Sequence, residues 1–466
     1  MFKKLGAVVA SAGLLGVSTI AAATALSGTA SASPASTPTP VALNLSNLIN
    51  LSPPVVNPGT TSFEQTVVDQ QGNMWTDSVK DGLLVENAAA SPHSAIGYIN
   101  LTRYISMTGT GFYDQLAIGN TIFTVQQGST SCPVIATNVA PSNLFPAPFT
   151  PFELGLKTPP TCVTAPAGYS FSGQSSYTVW QSNGSLYFTT IGHDSQVTGS
   201  NGTIWKVSPG SSVATPYAIP TRISAEITAW NGYLLIKGQG NQVFQYDLAS
   251  LSNTGLNSPY ITYTVPTVKA YDFADMTVVN TSNGPELWFL RKLEGAVGVI
   301  PLTQNPEKPK SSYVGEYLSV TNASSPALEG LIYDASSHSL WLVSGDVEGA
   351  HGTNFQFGFF DPSTVMPSTT SVTLTTVNPT TTPVISTDDF AVVNGAPTYF
   401  TNQTPLNALT KTDSANGQPV VNTSFTYTIT PSISATSPAD GYGTYTLNDP
   451  MPTGVTATAV AATTPG

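Results

Sequence analysis

The sequence predicts an all-β protein, a β-propeller of about seven four-stranded blades followed by an incomplete β-sandwich. Three observations predict it: a turn-and-strand pattern that recurs through most of the chain, period-2 alternation on both sides of each turn, and a scarcity of helix signals. The 39 glycines and 37 prolines leave no stretch of a dozen residues with an uninterrupted 3.6-residue apolar period.

The repeat begins with a small-residue or Asn-Gly turn and runs into a short aromatic or aliphatic strand. It reads GNMWTDS from Gly72, GNTIFTVQ from Gly119, NGSLYFTT from Asn183, NGYLLIKG from Asn231, NGPELWFL from Asn283, SHSLWLVSG from Ser337 and NGAPTYFT from Asn394. The spacing is about 50 residues, stretched once by a Pro-rich insertion. Asn-Gly favours the positive φ angles of a type I′ hairpin turn. A strand precedes most turns, as in ISAEITAW before Asn231, and an alternating strand follows, as in GTIWKVSP and NQVFQYDL. Thr- and Pro-containing segments such as TPYAIPT and YITYTVPT supply a fourth strand. Tandem sandwiches, the rival all-β architecture, would repeat nearer 100 residues. The unit at Asn394 is short of strands, and the ring closes only if it borrows from the segment before Gly72.

Four regions follow in order. Residues 1–32 hold two lysines, an apolar and small-residue run, and Ala30-Ser31-Ala32, the pattern of a secretory signal peptide. Residues 33–60 are a Pro- and Thr-rich lead, 61–404 the propeller, and 405–466 the incomplete module. After Pro34 no apolar run approaches transmembrane length, so the sequence predicts no membrane span once the signal is removed. The expected location is outside the cytoplasm, secreted or on the cell surface.

Charge is scarce: Lys, Arg, Asp and Glu make up 9% of the chain, against roughly a quarter in ordinary soluble domains. The net charge of -12, with 14 basic residues in all, supplies no basic stripe for a phosphate backbone and excludes nucleic acid as a partner. A fold with few ion pairs also has little electrostatic stability to lose when carboxylates protonate, so the chain is expected to tolerate acid. The two cysteines, Cys132 and Cys162, flank the insertion SNLFPAPFTPFELGLKTPPT. In an oxidising compartment they pair most simply with each other; a metal site would want a C-x-x-C or a nearby His. Sequons such as Asn183-Gly184-Ser185 signify glycosylation only in a host that has the machinery.

The segments SNGSLYFTT, NGTIWKVSPGSSVATPYAIPT and SAEITAWNGYLLIKG, with QQGNMWTDS and SAIGYINLT, resemble the repeats of the virginiamycin B lyase (streptogramin lyase) group and its NHL-like relatives. The resemblance implies a propeller over roughly Thr61 to Thr404 and, in the enzymes, a His and Glu pair with magnesium on one face. None of His93, His193, His338 and His351 falls in a segment matching that catalytic motif, so no catalytic role is carried over. From about Pro405 the sequence resembles the start of Ig-like or pilin-type isopeptide modules of bacterial surface proteins, with a Lys-bearing first strand, a Y-T-I-T strand and the run Asp449-Pro450-Met451-Pro452-Thr453-Gly454. That resemblance implies an isopeptide bond from Lys411 assisted by Asp449, but the strand bearing the acceptor Asn is not evident. The plainer reading is an exposed lysine and a turn aspartate.

Candidate chemistry is thin. Asp346, Glu348 and His351 in GDVEGAHGTN put two carboxylates and an imidazole in one loop, a possible site for a divalent cation or a held base, and otherwise a solvated Gly-rich loop. His193-Asp194 occupies the corresponding loop two units earlier. There is no G-x-S-x-G, H-E-x-x-H, P-loop or EF-hand loop, and KGQGNQV fails as a dinucleotide loop because Val243 stands where a third glycine belongs. On sequence alone the reading is a non-catalytic propeller that binds or displays an extracellular ligand or cell-envelope component, on an Ig-like stalk. The competing reading is an extracellular lyase or hydrolase with a metal-assisted site on one propeller face.

Overall fold

A computed structural model describes residues 38–433 apart from short stretches, chiefly most of 46–62 and 192–201, 266–272, 308–315, 345–355 and 415–423. The chain divides into two compact units, Met1–Thr404 and Pro405–Gly466. All seven repeat strands named above form. Three of the Asn-Gly turns have both residues at positive φ, Asn183-Gly184, Asn231-Gly232 and Asn394-Gly395, the type I′ geometry that matches the twist of the strands they join.

Each repeat grows into an antiparallel sheet. The first unit runs Phe63–Val68, Met74–Ser78, Leu83–Asn87 and His93–Asn100. The second runs Gly111–Ile118, Thr121–Gln127, Val134–Asn138 and, after the insertion, Thr161–Cys162. The third has Trp180–Ser182, Ser185–Ile191, Thr203–Val207 and Ala214–Ala218; the fourth has Ile223–Trp230, Tyr233–Gly238, Gln242–Asp247 and Ile261–Thr264. The fifth has Phe273–Thr281, Gly284–Arg291, Ala296–Pro301 and Glu316–Thr321, with Ser371–Thr373 added in parallel at its edge. The sixth has Leu328–Asp334, Ser339–Ser344, Gln356–Phe360 and Thr375–Val377.

The closure differs from seven like blades. Units two to six are five separate sheets, whereas the units at Gly72 and Asn394 belong to one eight-stranded sheet. The cause is Val41–Asn44, which pairs in parallel with Ala396–Thr401 over four residues and with His93–Asn100 over two. The segment 33–60, which reads as a lead, therefore supplies a ring strand, and Leu43, Leu45 and Leu48 from it are fully buried.

The core sits between neighbouring units rather than within them. Among the described residues there are seven apolar clusters, one for each junction from units one and two round to units seven and one. Large side chains at the middle of the second strand fill them: Trp75, Trp288, Trp341 and Tyr399 are essentially inaccessible. Burying such a side chain contributes about 2–3 kcal/mol, so the stacking of units, not any one sheet, holds the ring.

In Pro405–Gly466 the described strands are Asn407–Asp413 and Tyr427–Ile433, an antiparallel pair with Lys411 opposite Ile429.

Candidate functional site

The first strand of five units carries a shift in register, between Phe63 and Thr66, Phe112 and Asp114, Ile223 and Ile227, Ala274 and Met276, and Glu329 and Leu331. A bulge re-aims side chains, and in the sequence an acid falls at or within each of the five shifts: Glu64, Asp114, Glu226, Asp275 and Glu329. Asp114 is buried and accepts hydrogen bonds from the backbone N–H of Val179 in the third unit, at 2.9 Å, and of Gln115, at 2.7 Å. Burial pushes its carboxyl well above the ordinary range, and the charges of Asp77 in the first unit and Glu226 in the fourth push it further. Side chains of non-adjacent units thus influence one another, as they do where first strands converge on the hub of a propeller. Asp77 is fully buried, and neither oxygen makes a hydrogen bond of good geometry. Its burial raises its pKa to about 7, only partly offset by its own backbone N–H and that of Gln65. Among the described residues, no three His, Cys, Asp or Glu side chains are placed to hold a metal ion. Asp77 and Asp114 are therefore buried carboxyls that hold their protons more tightly than free ones.

A second feature lies open to solvent. The hairpin turns of units three and four bring Ser182, Asn183 and Ser185 beside Asn231, Gly232 and Tyr233, and between them opens a groove of about 390 Å³. Tyr187, Lys206 and the Asp247–Ala249 segment complete its lining. On its rim Trp230 stacks on Tyr233 with centroids 5.8 Å apart, and Tyr233 meets Tyr260 at 5.4 Å. Tyr260 is 38% exposed and its hydroxyl donates to the Gln304 carbonyl at 2.9 Å. Burial raises the phenols of Tyr187 and Tyr233, the latter also under the influence of Tyr260 and Asp247, so both remain hydrogen-bond donors at neutral pH.

The sequence-derived candidates fare differently. Cys132 and Cys162 form a disulfide with Cα atoms 5.1 Å apart, beside the cross-strand pair Cys162 and Ile135. Asp346, Glu348, His351, His193 and Asp449 lie outside the described residues, as do residues 1–32. Lys411 has its strand position and nothing more. His93 donates from Nδ1 to the Ala88 carbonyl at 2.9 Å, and His338 occupies a turn at φ 53°. Gly238 ends a strand where the Phe244 ring fills the space a Cβ would take, which explains the glycine without a ligand. The hub acids and the groove escaped the sequence reading. Aligning the residues before each turn, rather than those after it, exposes the recurring acid.

The arrangement defines a β-propeller. No family model matches the chain, and no curated protein does. Solved structures similar to it include the β-propeller domain of Cps50 (Swd1) from Myceliophteria thermophila, at 9% identity over 74% of this chain and 91% of that one with a TM-score of 0.40. The WD40 propeller domain of Doa1 is 8% identical over 72% of this chain and 88% of that one, with a TM-score of 0.42. An inactive H270A virginiamycin B lyase from Staphylococcus aureus with quinupristin is 15% identical over 72% of this chain and 75% of that one, with a TM-score of 0.31. No helix among the described residues is long and apolar enough to cross a membrane.

Proposed function

We propose that the chain is a secreted or cell-surface protein whose propeller binds or displays an extracellular ligand or cell-envelope component without transforming it. The groove carries this reading. This concave surface open to solvent is lined by hydrogen-bonding and aromatic groups, whereas Asp77 and Asp114, whose carboxyls burial perturbs strongly, are not among its lining. The leader-like N-terminus and the pairing of both cysteines support an oxidising location. Residues 405–466 serve as the stalk.

Fractionation of the producing cells tests the address. The mature chain is expected in the medium or on the surface, with its N-terminus near Ser33; a full-length chain confined to the cytosol would overturn the proposal. Magnesium-dependent turnover of quinupristin, abolished by His351→Ala, would replace binding by the lyase reading.

A further inference from the structure

The groove between units three and four has a composition that specifies its ligand more narrowly, and the following rests on the binding reading above. Its lining holds one cation, Lys206, and one anion, Asp247. The two do not pair with each other, and Lys206 makes no ion pair among the described residues. One oxygen of Asp247 is engaged by the Ala249 N–H at 3.0 Å. The remaining polar side chains are neutral: the hydroxyls of Ser182, Ser185, Tyr187 and Tyr233 and the amides of Asn183 and Asn231.

This set matches a ligand that is uncharged and carries many groups able to donate and accept at once. A phosphate or polyanion would want several cations without a carboxylate beside them. An apolar ligand would leave the lysine and the carboxylate without partners as it excluded water. A sugar meets both demands. Each of its hydroxyls can accept from Lys206 or a tyrosine and donate to Asp247, while its C–H face lies against an aromatic rim such as Tyr233 and Tyr260. A groove of about 390 Å³ is at the small end of ligand sites, with room for about two sugar rings. We infer that this groove is a binding site for a neutral oligosaccharide or the end of a neutral polysaccharide.

The test uses the full mature protein and two probes: envelope material from the cells that make it, with and without periodate treatment to destroy vicinal diols, and immobilised neutral polysaccharides (mannan, dextran, starch, cellulose). Binding to at least one probe is expected, with loss after periodate. Tyr233→Ala and Lys206→Met should each weaken it tenfold or more, and Tyr233→Phe less than either. Because Tyr233 packs against two rings, thermal melts accompany each variant, and Lys206→Met decides the matter if Tyr233→Ala does not fold. Periodate-resistant binding, or binding unchanged in the folded variants, overturns the carbohydrate assignment and leaves the binding reading standing. No binding by the wild-type protein to any probe overturns the assignment as well.

Discussion

Asp69 illustrates how one side chain sets a turn and supports the core beneath it. One carboxylate oxygen accepts from the backbone N–H groups of Gln71 and Asn73, at 2.8 and 2.9 Å, and the other accepts from the Trp75 indole Nε1 at 2.9 Å. Trp75 is fully buried, so without Asp69 its N–H has no water to turn to. Asp69→Ala is expected to lower stability by about 2–4 kcal/mol, the cost of a buried orphan donor plus an unbonded turn, and Asp69→Asn by less. A denaturant midpoint unmoved by Asp69→Ala would contradict this. Gly298 shows the opposite constraint, since the Phe289 ring on the paired strand occupies the place of a Cβ. Gly298→Ala should cost about 1–3 kcal/mol by overpacking, read from the same midpoint.

At the scale of the element, the Asn-Gly turns were legible in the sequence because their chemistry is local: two residues with positive φ need little beyond their own side chains. The bulges before them were not legible, because an inserted residue leaves apolar alternation nearly intact, and only the partner strand reveals the shift. That is why Asp114, Glu226 and Asp275 look like surface acids in the sequence, although Asp114 is buried. The consequence is a pH dependence. The pKa of Asp77 rises from 3.8 to about 7 through burial, and that of Glu86 from 4.5 to about 7 through burial and the charge of Asp69. Between about pH 4 and 7 the unfolded chain has lost these protons while the folded chain keeps them, so stability falls as pH rises through that window. Asp334 works in the other direction. Burial opposes its charge, but bonds from Ser337 and Ser336 hold its pKa below 3.8, so its contribution is lost on acidification below about pH 4. Stability should therefore peak in mild acid, in keeping with the tolerance that low charge suggests. Chemical denaturation at pH 5 and pH 8 checks it: the midpoint is expected to be higher at pH 5, with the difference reduced in Asp77→Asn. A midpoint higher at pH 8 would show that Asp77 and Glu86 are not held protonated in the fold at pH 5. The disulfide is a separate element, closing a separation of 30 residues. Replacing both cysteines by serine should cost about 3–4 kcal/mol, matched by the effect of reductant on the wild type and absent from the variant.

For the molecule as a whole, the recurrence of the unit and the need of the Asn394 unit to borrow from the segment before Gly72 could be read from the sequence, but not which residues are borrowed, nor that they join the first and last units into one eight-stranded sheet beside five separate blades. Repeats announce themselves by similarity; a closing strand need resemble nothing. Val41–Asn44 is four residues long and pairs with strands that begin at His93 and Ala396, and no local pattern encodes such distant parallel partners. Its burial is unambiguous: Leu43, Leu45 and Leu48 join Phe63 and Phe400 in the cluster between the last unit and the first. The same physics makes this junction depend on the short strand Val41–Asn44 and the leucines that follow it. Leu43→Ala should cost about 2–5 kcal/mol as a core truncation. Deleting residues 38–48 removes all three leucines, a loss of about 5–9 kcal/mol, and leaves one edge of Ala396–Thr401 without its partner. An unpaired edge recruits other chains, so the deleted protein is expected to show both a lower denaturant midpoint and concentration-dependent association by light scattering. The five separate sheets each keep their own strand pairing, so circular dichroism should retain its β signal while the midpoint falls. If the deletion leaves the midpoint unchanged and the protein monomeric, the ring does not depend on Val41–Asn44, and the first and last units are held by the remaining side chains of their cluster, such as Phe63 and Phe400.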